Sequence, residues 1–124
     1  MLRLISILFF ISSCSDSIII PDNVNKILIT YHIPNSSDSI SFTEVNSEKI
    51  ALFKEVFKQS PVKVTCNQTG TIDFISESKT VLHLGFSISP SCPCLIQDNK
   101  VWRLTYRAGM YLDYNISEQF KNKK

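Results

Sequence analysis

The stretch Thr80-Val81-Leu82-His83-Leu84-Gly85-Phe86-Ser87-Ile88 decides the fold. In an extended chain Leu82, Leu84, Phe86 and Ile88 fall on one side, and Val81, His83 and Gly85 on the other. A period of two sustained over this length marks a strand with one buried face. Thr71 to Ile75 is a second apolar run just upstream. The polar residues Glu77-Ser78-Lys79 between the two runs predict a hairpin. An antiparallel sheet with one covered face is the architecture such alternation implies.

Working outward, Ile27, Ile29, Tyr31 and Ile33 alternate with Lys26, Leu28, Thr30 and His32, and a turn cluster follows from Pro34 to Ser39. Ile40 to Thr43 then alternates again, which predicts another hairpin. Between the hairpins, Ile50, Phe53 and Phe57 recur at helical spacing, predicting a helix over 47–59. Asn46 or Ser47 suits its cap, Glu48 its first turn, and Pro61 bars its continuation. Val62 to Cys66 reads as a short strand. Ser89 to Cys94 reads as a loop with two prolines.

Leu95-Ile96 and Val101 to Arg107 predict a last hairpin, turning at Asp98-Asn99-Lys100. Its second arm places Trp102 and Tyr106 on one face and Arg103 and Arg107 on the other. A short helix is expected over 116–121, with Asn115 as cap and Glu118 three residues on. The expected fold is α+β: an antiparallel sheet of short strands and hairpins with one main amphipathic helix packed on it, forming a single small domain over 26–124.

The chain opens with one cation, Arg3, then the apolar run Leu4 to Ile11, then Ser12-Ser13-Cys14. These are the parts of a secretory signal, and the run is too short for the roughly 20 apolar residues a bilayer span needs. Ile11-Ser12-Ser13-Cys14 resembles the lipobox of bacterial lipoproteins. It departs from the commonest pattern in having Ile at the first position and Ser beside the cysteine. The resemblance covers only the first 14 residues. It implies a signal peptide over 1–13, lipid on Cys14, and a lipid-proximal tether over 14–25. Ser15 in place of Asp implies sorting to the outer membrane where the host has one. Simple secretion with cleavage near Ser13 is the alternative.

Removing residues 1–13 leaves 111 residues and takes Arg3 from the stated charge of +2, giving +1. Such a balanced chain has no basic stripe for nucleic acid. Three glycines offer no phosphate-cradling loop, and neither His32 nor His83 lies in a nucleophile motif. Neither a catalytic residue nor a cofactor is expected.

With Cys14 assigned to lipid, Cys66, Cys92 and Cys94 remain. An oxidising compartment favours a structural bridge from Cys66 to Cys92 or Cys94, worth about 3 to 4 kcal/mol on the chain-entropy estimate. One thiol is left over. The other readings are thiol exchange, or a soft-metal site for Cu(I) or Zn(II) from the three thiols and His83. The spacing fits no standard zinc or Cys-x-x-Cys pattern. The expectation is therefore a lipid-anchored envelope protein acting as a binding or accessory module. Its partner contact would involve Arg103 and Arg107 if that strand face is exposed. A thiol or metal protein is the alternative.

Overall fold

In a computed structural model, which describes residues 18–123, the alternating runs become one six-stranded sheet with two helices on it. The strands are β1 Lys26–His32, β2 Ser39–Glu44, β3 Gly70–Ser76, β4 Lys79–Ser87, β5 Cys94–Gln97 and β6 Lys100–Arg103. The helices are α1 Ser47–Val56 and α2 Tyr106–Lys123. The sheet order is β2-β1-β3-β4-β5-β6, and every neighbouring pair is antiparallel. The α+β class is as the periodicity indicated. The signal sequence and Cys14 lie outside the described residues.

Register fixes which side chains share a face. Ile29 pairs with Ile72, Ile72 with Leu84, Phe86 with Leu95, and Leu95 with Trp102. This row is fully buried and lies beneath both helices. From α1, Phe53 packs edge-on against Phe74, and Phe57 just beyond the helix packs edge-on against Trp102. Asn46 caps α1, its side-chain oxygen accepting from the backbone N–H groups of Glu48 and Lys49 at 2.8 and 3.1 Å.

Several local expectations are corrected. The arm expected over 101–107 stops at Arg103 because a helix begins there. Thr105 Oγ1 accepts from Ala108 N at 3.2 Å, and Gly109 N donates to Thr105 O at 2.9 Å. Thr105 thus closes the first turn of an 18-residue helix in which Asn115 is interior. Asn115 caps nothing; its Nδ2 donates back to Tyr111 O at 2.8 Å. Tyr106 therefore does not share a face with Trp102.

The segment 62–66 is not a strand either. Val62 N donates to Val101 O on the edge of β6, and the chain then leaves the sheet to carry Cys66 to Cys92. Upstream of β1, Ile20 is 5 % exposed within the core and Ile18 packs against it, so packing begins inside the stretch read as the tether.

The helix α2 runs across the sheet. Tyr111 packs edge-on against Phe53, and its hydroxyl donates to Glu44 Oε1 at 2.7 Å. The other oxygen of Glu44 accepts from Val45 N and Asn46 N. One carboxylate thus ties the end of β2 to both helices. Burial first, and the Glu44 carboxylate second, hold the Tyr111 hydroxyl well above the usual tyrosine range. Near the far end of α2, Phe120 packs edge-on against Tyr31.

Candidate functional site

The sheet face away from the helices carries the sulfur chemistry. Cys94 pairs in register with Ser87 on one side and Arg103 on the other. Strand alternation puts all three opposite the Phe86–Leu95–Trp102 row. Gly85 belongs to that outer set, and a Cβ there would collide with the carboxamide of Gln68. Glycine is needed here because Gln68, in the strap formed by residues 61–69, reaches this face. Thr69 continues the pairing, its N–H donating to Phe86 O at 2.8 Å.

A disulfide joins Cys66 in the strap to Cys92 in the loop after β4, with a Cα–Cα distance of 5.9 Å. Such a separation is within the ordinary range for a disulfide. Of the two partners the sequence allowed for Cys66, the structure selects Cys92. Cys94 is free and 0 % exposed, as is Ser87 beside it. The three sulfur atoms lie within 4.8 Å of one another. Burial pushes the Cys94 thiol up to about 11, against smaller lowering by a hydrogen bond with the Ser87 backbone and by Arg103. In the disulfide form Cys94 is a shielded neutral thiol and a poor nucleophile.

His83, the nitrogen ligand considered with these thiols, is not among them. It pairs across the sheet with Asp73, and its Nδ1 is hydrogen-bonded to Asp73 Oδ1. Arg103 and Arg107 do not form a common row. Arg103 ends β6 on the outer face, and its backbone carbonyl accepts from Gln59 Nε2. Arg107 belongs to α2 and lines a polar groove with Glu48, Lys49 and Glu55 of α1. Both arginines are exposed.

A second candidate was missed in the sequence. Tyr106, Met110 and Tyr114, one helical turn apart on α2, are 80 %, 54 % and 64 % exposed. They form a stripe on the side away from Ala108, Leu112 and Ile116, which enter the core. Tyr106 and Met110 also border a groove of about 370 Å³, whose other wall is Ile88, Pro90 and Pro93. Cys92 lies between those prolines, so the disulfide fixes one wall and α2 forms the other. The signal was the i, i+4, i+8 spacing of large side chains. The alternation of Trp102, Leu104 and Tyr106, which mimics a strand, obscures it.

Trp102 is wholly buried, and its Nε1 has no hydrogen-bond partner among the described residues. Among those residues no helix is long and apolar enough to cross a membrane. No protein-family model matches the chain, and the comparisons with curated proteins and with solved structures found no match.

Proposed function

We propose that this chain is an exported envelope protein, held at a membrane through lipid on Cys14, whose folded domain is a binding module for another protein of the same membrane. The observation that carries the binding role is the exposed Tyr106–Met110–Tyr114 stripe beside the disulfide-pinned groove. Aromatic residues and methionine are enriched where proteins meet, and contiguous apolar surface is otherwise kept small on a monomer. The anchor rests on the signal sequence and on Ile11-Ser12-Ser13-Cys14.

Only Ser15, Asp16 and Ser17 separate Cys14 from Ile18, which already packs on the core. Four residue steps reach at most about 14 Å, so a lipid on Cys14 keeps the domain at the bilayer surface. This proximity favours a partner embedded in, or attached to, that membrane. No catalytic role is assigned. Outer-membrane sorting follows from Ser15 where the host has that membrane.

Two measurements test the reading. Intact mass and detergent partitioning should show a lipidated mature chain for the wild type and a soluble or unprocessed one for Cys14→Ala; identical soluble behaviour removes the anchor. A photo-crosslinking residue at position 106, 110 or 114 should capture one discrete membrane protein in the producing cell. The same residue at position 81, on the open sheet face, should not. Met110→Asp should abolish that adduct without lowering the amount of protein. Equal labelling from all four positions removes the binding role.

A further inference from the structure

We propose that Cys66, Cys92 and Cys94 form a redox-locked site for one soft monovalent cation, Cu(I), which opens when a dithiol reduces the Cys66–Cys92 bond. The inference is independent of the binding role proposed for α2. It rests on three sulfur atoms that lie within 4.8 Å of one another, one of them fully buried without a covalent partner. An accidental third cysteine needs no such convergence from the strap, the loop and β5.

The donor set selects the ion. Thiolates are soft ligands and suit Cu(I), whereas structural zinc takes four ligands and usually adds nitrogen or further thiolates. Among the described residues no His, Asp or Glu side chain joins the three sulfurs in this group. His83, the imidazole nearer to these cysteines in sequence, is engaged with Asp73. The guanidinium of Arg103, opposite Cys94 in register, is placed to offset negative charge on the sulfurs.

The chemistry balances with a dithiol as reductant. The dithiol supplies two electrons and two protons and becomes a cyclic disulfide; the Cys66–Cys92 S–S bond breaks to give two thiols. Cu(I) then displaces the protons of the thiols it binds, and copper keeps its oxidation state throughout. While the disulfide is intact only Cys94 is available, and one buried thiol does not make the site.

The experiment uses the full chain carrying Cys14→Ser, so that the three clustered cysteines are the remaining thiols. After reduction by a phosphine and its removal under anaerobic conditions, Cu(I) is titrated in competition with bicinchoninate. Near-ultraviolet thiolate-to-copper absorption and far-ultraviolet circular dichroism are followed together. The expected result is one Cu(I) per reduced chain, essentially none per oxidised chain, and binding more than about tenfold weaker in Cys94→Ser. That variant keeps the Cys66–Cys92 pair and so controls for folding. Equal uptake by oxidised and reduced protein overturns the proposal, as does undiminished affinity in Cys94→Ser. Loss of the sheet on reduction, or preferential uptake of Zn(II), overturns it too.

Discussion

On the helix side of the sheet, Phe53, Phe74 and Trp102 are fully buried between the strands and two helices; on the opposite side, Ser87 and Cys94 are buried as completely, beside a strap held by one disulfide. The first enclosure comes from apolar area, spread over residues from every strand and both helices. The second comes from a covalent link and a few close approaches, such as Gln68 against Gly85. Distributed burial survives the loss of any one bond. A cross-linked cover depends on its link, so the two faces should respond differently to the same chemical insult.

The largest effect is expected from emptying the distributed side. Phe53→Ala should lower unfolding free energy by about 3 to 5 kcal/mol in urea titrations. A loss under 1 kcal/mol would mean that this side is not the core. Next, removing the link by Cys66→Ala with Cys92→Ala should cost about 3 kcal/mol on the chain-entropy estimate. It should also admit iodoacetamide to Cys94, which is buried in the native oxidised protein, while Trp102 fluorescence stays native. Loss of the tryptophan signal together with thiol exposure would show that the two faces do not open separately.

Third comes the pH dependence of the strap side. The Cys94 thiol is raised from its ordinary 9.0 to about 11 by burial, so the folded state holds that proton after the unfolded chain has released it. Its contribution is therefore intact below pH 9 and is lost as pH rises toward 11, by about 2 to 3 kcal/mol at most. Stability measured across that window should fall more steeply in the wild type than in Cys94→Ala; parallel curves would place the thiol in contact with water. A smaller effect, about 1 kcal/mol, is expected for Asn46→Ala, which removes the acceptor for two backbone N–H groups at the start of α1. Smallest is Lys58→Ala. It breaks an exposed pair with Glu55 at 3.0 Å and should change the thermal midpoint hardly at all, within about 0.5 kcal/mol.

The helix side was legible in the sequence because its residues repeat. Ile27 and Ile29, Leu84 and Phe86, and Ile50 and Phe53 each announce a face through period two or 3.6, and the register joins those faces into one core. The strap was not legible because its path is set by tertiary constraints. Val62 to Cys66 has strand composition, yet the chain must turn from the β6 edge toward Cys92. The longer helix was missed for a local reason. Trp102, Leu104 and Tyr106 continue a strand alternation across the boundary, while Asn115 and Glu118 imitate a helix start farther on. The informative signal was Thr105 followed by Ala108, Leu112 and Ile116, a cap and then a helical stripe. Of the candidate sites, the three thiols were named from the sequence, but which pair would bond was not. Their separation along the chain does not encode a distance in space.

The row of strands has two ends, and they are not equivalent. At β6 the carbonyl of Val101 is already taken by Val62 N at 2.7 Å, so that edge is partly occupied by the chain itself. At β2 no described strand lies beyond Ser39–Glu44. Growth of a fibre by edge-to-edge stacking needs a free edge at each end of the sheet. Strand addition between copies is therefore less obstructed at β2, and an antiparallel β2–β2 pair uses the same edge twice. Such a pair closes on itself, so association through that edge alone stops at two molecules.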